Sequence, residues 1–314
     1  MAQQKNSKIG IVTGIDKSNG LKLERRHKLR DYLIDKIHYD VCINCIAYTD
    51  TAAAQTTKDG ANTSYLLNAQ LPKHVAESCK FHNIRLIHVS TDYVFSELSQ
   101  RSTRKDRDGI TPFSTFDVPF PTTIYGTHKL LGEEGIKSVF GEKSKDYAIL
   151  RTSWLYGWHK EKSFVHKFIR NLALTPYDKQ IDVTENEWSV PTSTDFLCEC
   201  IKQTVYDKLH GTLHAVPYVS DGVSRADFAE QIAEIYDTLD SEQDKCCCDK
   251  VELQYNKVKP IESESFRPKH SAMEASTEFN VRWKWEHDLK NFMRKHNYDI
   301  ANFVKQVREQ EQGS

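Results

Sequence analysis

Ile87-His88-Val89-Ser90-Thr91-Asp92-Tyr93-Val94-Phe95 starts apolar and ends on hydroxyl and acidic side chains. A short apolar run closed in this way predicts a buried strand over Arg85–Ser90. In a doubly wound sheet, ligands bind outside the carboxyl ends of the strands. Ser90 and Thr91 stand at such an end, where a hydroxyl can hydrogen-bond a carbonyl. The plainer reading is a Ser/Thr/Asp turn that closes the strand. Upstream, Val41–Ala47 is a second continuous apolar run, as expected of a strand buried on both faces of a parallel sheet. Asn44, Ala47 and Tyr48 then lie at the same edge.

Outward from these runs, strands and helices alternate. The spacing predicts a strand over Lys8–Thr13, a helix over Arg25–Lys36, a helix over Ser64–His82 interrupted by Pro72, a helix over Thr123–Phe140 and a strand over Ala148–Trp154. That alternation argues for an α/β fold with a doubly wound, Rossmann-like parallel sheet. Past residue 157 the helices Ser163–Ala173, Ser193–Val205 and Ser224–Thr238 alternate with short strands near Gln180–Val183, Thr212–Val216 and Val251–Tyr255. The chain therefore divides into residues 1–157, a smaller substrate-side lobe over 158–296 with segments returning to the sheet, and a charged tail over 297–314. The tail is expected to be a frayed helix. Ser96–Thr115 is too polar for a core and reads as a surface insertion, and Asp240–Lys250 as a linker.

A formal net charge of −1 over 314 residues offers no basic face for nucleic acid. No apolar run is long enough for a bilayer, and the start has no secretory core, so the expectation is a cytoplasmic protein with no membrane contact. Eight cysteines suit a reducing compartment. Cys42 and Cys45, three apart on a strand, point to opposite faces and do not converge on a metal. Cys246-Cys247-Cys248 lies in the polar connector with no His pair nearby, and no metal is expected.

Tyr125-Gly126-Thr127-His128-Lys129 is a YxxxK pattern. On a helix, i and i+4 share a face. An ammonium there would favour the phenolate and lower the pKa of a phenol able to exchange a proton with substrate. Alone, the pattern is better read as a solvated helix face. Its order relative to the other segments is more specific. Asn44…Tyr48-Thr49, then Ser90–Phe95, then Tyr125…Lys129, then Leu150-Arg151-Thr152-Ser153-Trp154-Leu155-Tyr156-Gly157 resembles the dTDP-4-dehydrorhamnose reductases among the extended short-chain dehydrogenases/reductases. It is also similar to the beta subunit of methionine adenosyltransferase. The likeness continues through Val190-Pro191-Thr192, Gly211-Thr212-Leu213-His214 and Arg267-Pro268-Lys269-His270-Ser271.

The resemblance implies NADPH- or NADH-dependent reduction of a nucleotide-linked 4-keto-6-deoxy sugar. It implies that Thr91 hydrogen-bonds the reacting carbonyl, Tyr125 donates the proton, and Lys129 lowers the Tyr125 pKa and holds the nicotinamide ribose. Asn44, Ala47 and Tyr48, with Tyr125 and Lys129, would line the cofactor side. Val94, Trp154 and Arg267 would lie near the sugar nucleotide, though Trp154 also reads as core and Arg267 as a surface ion pair. A non-catalytic regulatory subunit is the other function the resemblance allows.

One element of the pattern is missing. Such folds open with a Gly-rich turn that offers backbone N–H groups to the pyrophosphate, and no GxxGxxG occurs here. Thr13–Gly20 has a TGxxxxxG spacing, but the gap from Gly20 to Asn44 leaves no room for a full strand–helix unit. Ile11–Ser18 matches the family's second strand instead, with Leu21–Leu33 as the helix after it. On that alignment the first strand–helix unit is absent. Cofactor binding would then be weakened, and the exposed sheet edge would favour a homodimer or a heterodimer with a related chain.

Overall fold

The computed structural model describes residues 13–14, 39–100, 111–158, 163–176, 178–243, 257–262 and 264–312. The expectations for Lys8–Thr13, Arg25–Lys36, Ile11–Ser18, Thr13–Gly20, Val251–Tyr255 and Cys246–Cys248 therefore fall wholly or largely outside the described residues. The chain divides into two compact units, one of Met1–Ser90, His128–Leu150 and Ile201–Thr212, the other of Thr91–Thr127, Arg151–Cys200 and Leu213–Ser314.

The first unit carries the Rossmann-like sheet. Its strands are β1 (Val41–Asn44), β2 (Arg85–Thr91), β3 (Tyr147–Thr152) and β8 (Gly211–His214), in the order β1-β2-β3-β8. β1 and β2 are parallel, with Val41 opposite Arg85 and Asn44 opposite His88. β1 is shorter than the expected Val41–Ala47. It is not buried on both faces either, since Ile43 is 44% exposed. The reason is its place at the end of the strand order among the described residues. β2 and β3, inside that order, are almost wholly buried, as a continuous apolar run requires.

Helices α1 (Thr51–Thr56), α2 (Lys58–Ser64), α3 (Leu71–Phe81) and α4 (Ile124–Phe140) follow the strands. Asp50 caps α1 by accepting from the Ala53 N–H at 2.9 Å, and Thr57 caps α2 through Gly60 N–H at 3.0 Å. Leu71, Val75 and Cys79 recur one turn apart on α3 and pack with Leu86, Ile136 and Ile149 into the core of this unit. Each such buried aliphatic side chain contributes about 1.5–3 kcal/mol of transfer free energy.

The single helix expected over Ser64–His82 is two helices joined by a π-helical turn, Tyr65–Gln70. Pro72 is the physical cause. It has no N–H for the carbonyl of Asn68, and its ring would collide with that carbonyl in a regular helix. Widening the turn relieves the clash, and Pro72 then sits in the first turn of α3, where proline is tolerated.

The second unit contains β4 (Leu155–Tyr156), α5 (Phe164–Leu174), β5 (Ile181–Thr184), β6 (Trp188–Ser189), β7 (Thr192–Ser193), β9 (Val223–Ser224), α7 (Arg225–Gln243), β10 (Val258–Ile261), α8 (Trp285–Lys295) and α9 (Asn297–Gln312). α6 (Thr194–Tyr206) carries the chain from this unit into the first. Three small two-stranded sheets pair β10 with β5, β4 with β7, and β6 with β9. β7 and α8 are tied by Asp288, which accepts from the Ser193 hydroxyl at 2.7 Å, the Ser193 N–H at 2.9 Å and the Tyr156 hydroxyl at 3.2 Å.

Two expectations here are corrected. The tail is not frayed, because Ile300, Val304 and Val307 form a buried stripe at helical spacing along α9. The flanks of the polar insertion are also not loose surface. Ser96 is buried and donates its hydroxyl to Phe120 O at 2.6 Å, and Phe113 is 1% exposed and bridges to Met273.

Candidate active site

The sequence-predicted residues fall into both units. In the first, a buried polar chain runs between β1, β2 and α4. Asn44 Nδ2 lies 3.1 Å from His88 Nδ1, and Lys129 Nζ lies 3.3 Å from His88 Nε2 and donates to Val89 O at 2.8 Å. Asn44, His88 and Lys129 are all buried. Burial holds the Lys129 amine down to about 8, against the opposing pull of Glu133 and Cys45. The same desolvation, with the charge of Lys129 beside it, holds His88 well below the usual imidazole range. Glu133, also buried, accepts from the Ser90 hydroxyl at 2.5 Å.

Ala47 and Tyr48 follow β1 and are half-buried. Asn68, inside the π-helical turn, holds the Tyr48 backbone by both of its polar groups. Sequence reading missed Asn68. The signal available was a polar residue four positions before a proline in an otherwise amphipathic stretch. π-turns occur frequently at functional sites.

In the second unit, Thr91 ends β2 and caps a 3-10 turn over Asp92–Val94, its hydroxyl oxygen accepting from the Tyr93 N–H at 3.3 Å. The Thr91 hydroxyl donates to Asp92 Oδ1 at 3.0 Å. Ser189 and Ser271 each donate to Asp92 Oδ2 at 2.6 Å. Asp92 thus fixes the rotamer of Thr91. It was not singled out from sequence, although it stands inside the quoted segment.

The Tyr125 phenol interacts with the Thr91 hydroxyl and meets the Tyr93 ring edge-on, centroids 5.5 Å apart. The phenol differs from expectation. Its pKa is raised, because burial penalises the phenolate, with the Thr91 hydroxyl opposing and the Asp92 carboxylate and Tyr93 adding to the rise. Lys129 Nζ is committed to Val89 O and His88 in the first unit. Gly126 beside Tyr125 is required by space, since a Cβ there would stand 2.1 Å from Tyr93 O.

Trp154 adopts φ +35, a left-handed conformation rare for a large side chain. The Arg225 guanidinium lies 3.7 Å above the centre of its ring. Buried Glu187 pairs with Arg225 and with the half-exposed Arg267, each at 3.4 Å, and accepts from the Ser265 hydroxyl at 2.7 Å. Trp154 is half-buried, and Arg267 forms a surface ion pair with Glu187, which also holds Arg225. Val94 is 0% exposed, so its side chain packs inside the unit.

Among the described residues no cluster of three or more His, Cys, Asp or Glu could hold a metal, and no helix is long and apolar enough to cross a membrane.

The parallel sheet, the hydroxyl-terminated strand β2 and the YxxxK helix α4 define a Rossmann-like α/β protein of the extended short-chain dehydrogenase/reductase type. The chain belongs to the RmlD substrate binding domain family, whose sequence model matches residues 2–307. It is 30% identical over 182 residues to a dTDP-4-keto-6-deoxy-D-glucose reductase of Streptomyces niveus, covering 58% of this chain and 56% of that one. It is 35% identical over 165 residues to a dTDP-4-dehydrorhamnose reductase of Mycobacterium tuberculosis, covering 52% and 49%. The chain thus spans about half the length of the curated relatives it matches. Its fold is similar to the crystal structure of dTDP-4-dehydrorhamnose reductase from Bacillus anthracis in complex with NADP, with TM-score 0.72, 26% identity and coverage of 90% and 89%.

Proposed function

We propose that this chain reduces a nucleotide-linked 4-keto-6-deoxy sugar, of the dTDP-4-dehydrorhamnose kind, with NADPH or NADH. The observation that carries the reading is the buried Thr91–Tyr125 pair, with the phenol held in its neutral form. A ketone that gains a hydride becomes an alkoxide and needs a proton. A neutral phenol is the form that can supply it, and even a raised phenol is far more acidic than an alcohol. On this reading the Thr91 hydroxyl, which donates to Asp92 Oδ1 here, turns its one proton to the substrate carbonyl oxygen and orients it.

The residues fit a reduced nicotinamide dinucleotide by their donor chemistry. A phenol and an amine on one helix face, Tyr125 and Lys129, suit the hydroxyls of a ribose, and the Asn44–Tyr48 segment supplies further polar backbone at the end of β1. When bound, that cofactor supplies the hydride. Lys129 holds the ribose side, and Asn44, Ala47 and Tyr48 line it. Trp154 and Arg267 receive the sugar nucleotide, Arg267 as the cation for its phosphates. Val94 contributes by shaping the turn that carries Thr91. The same reading has the chain working as a homodimer or with a related chain, which light scattering on the purified protein tests.

The test of function is direct. Purified protein is mixed with dTDP-4-keto-6-deoxy sugar and NADPH or NADH, and absorbance loss and sugar product are followed together. Sugar-dependent oxidation with formation of the 4-hydroxy sugar supports the reading. No turnover with either cofactor, when calorimetry shows that the cofactor binds, overturns it.

A further inference from the structure

Two thiols meet at the core of the first unit. Cys79 lies on α3, 0% exposed, in the cluster with Leu86, Ile136 and Ile149, and Cys42 on β1 packs against that cluster. The two side chains are hydrogen-bonded to each other, and neither is in a disulfide. The partners are not equivalent. Cys42 is half-buried, whereas Cys79 has no contact with solvent. Cys79 is the donor. Its S–H favours a thiolate on Cys42 and lowers the Cys42 pKa against the opposing effect of burial. The bond to Cys42 and burial both push the Cys79 thiol up. A sulfur with thiolate character near solvent, against a protonated thiol, is the arrangement of a reactive cysteine and a resolving one. Cys45 lies past the end of β1 and is exposed, and Cys198 and Cys200, two apart on α6, do not face one partner.

We propose that Cys42 and Cys79 are a redox-modification site, a dithiol that a peroxide converts reversibly into a disulfide joining β1 to α3. The Cys42 thiolate attacks one oxygen of hydrogen peroxide; an S–O bond forms, the O–O bond breaks and hydroxide leaves. The Cys79 sulfur then attacks the sulfenic sulfur of Cys42; an S–S bond forms, the S–O bond breaks, and water leaves with the Cys79 proton. Both sulfurs are oxidised and both peroxide oxygens are reduced. A dithiol reductant restores the two thiols by exchange. Where thiols are otherwise kept reduced, disulfides of this transient kind are the ones that sense oxidants. The loop that the bond closes contains the Asn44–Tyr48 segment and the π-helical turn with Asn68, so the two elements flanking that segment become covalently tied. Regulation of cofactor binding by this tie rests on the function proposed above, but the modification and its test do not.

The experiment treats the reduced full chain with hydrogen peroxide, alkylates the remaining thiols and maps every cysteine by mass spectrometry without reduction. The expected result is a cross-linked peptide pair carrying Cys42 and Cys79, the two thiols lost in equal proportion and both recovered with dithiothreitol. Cys79→Ala takes only a sulfur out of the core and removes the resolving thiol. In that variant Cys42 should accumulate as a sulfenic acid, trapped by dimedone. In Cys42→Ser, Cys79 should stay a thiol through the same treatment. Cys42 and Cys79 both still reduced after Cys45 or Cys198 has been oxidised overturns the proposal. So does a bond between Cys42 and Cys45, or oxidation of Cys79 in Cys42→Ser at the wild-type rate. The wild-type map decides alone should Cys79→Ala fail to fold. Because cofactor and substrate are absent from the tube, loss of the reductase reading would leave these outcomes unchanged.

Discussion

Asn68 holds both backbone polar groups of Tyr48: its Oδ1 accepts the Tyr48 N–H at 2.9 Å and its Nδ2 donates to the Tyr48 carbonyl at 3.0 Å. The amide also donates to Ser64 Oγ at 3.1 Å and is fully buried. A loop after β1 thereby acquires the hydrogen bonds that a neighbouring strand would otherwise supply. The π-helical turn is what aims Asn68 at it.

Asn68→Asp keeps the acceptor and loses the donor, and it turns a carboxylate oxygen toward the Tyr48 carbonyl. One unsatisfied buried carbonyl costs about 1–3 kcal/mol. The expected outcome is a lower urea midpoint with an unchanged slope, and faster hydrogen exchange at Tyr48 than in the wild type. Unaltered exchange at that amide would show that the clamp does not hold the loop.

Gly126→Ala places a methyl 2.1 Å from Tyr93 O, a backbone atom that cannot swing aside. Overpacking of this kind costs about 1–3 kcal/mol. A lower denaturation midpoint is expected, although alanine is the better helix former. A midpoint at or above wild type would mean that α4 and the Asp92–Val94 turn separate at no cost.

Tyr125→Phe removes the proposed proton donor and changes little else. The expected loss is about 10²–10⁴-fold in kcat, with KM and the circular dichroism spectrum preserved. Turnover close to wild type would remove Tyr125 from the mechanism.

Lys129 gives a pH-dependent stability with a defined sign. Its folded pKa, about 8, lies below the unfolded ~10.4. Between those values the unfolded chain holds the extra proton, so the contribution of Lys129 to stability rises with pH across that window. Below it the penalty of burying the ammonium is fully present. Lys129→Met should abolish this rise and be relatively most stabilising near pH 7. Identical pH–stability curves for mutant and wild type from pH 7.5 to 10.5 would refute the shift.

The class of fold and the buried strand β2 were legible in the sequence, because local rules govern them, whereas β1 ends at Asn44, short of the expected Ala47. Continuous apolar runs make buried strands, and a 3.6-residue period places Tyr125 and Lys129 on one face of α4. What a side chain meets from a distant segment was not legible. The Asp92 site depends on Ser189 and Ser271, roughly 100 and 180 positions away. Arg225 lies over Trp154, and Asn68 reaches back to Tyr48. The spacing of YxxxK suggested that the lysine charge lowers the tyrosine pKa. Only the tertiary structure decided that burial raises it and that Lys129 Nζ is held by Val89 and His88. Periodicity records which face of an element is apolar, whereas electrostatics depends on desolvation and on partners that only folding brings within about 3 Å.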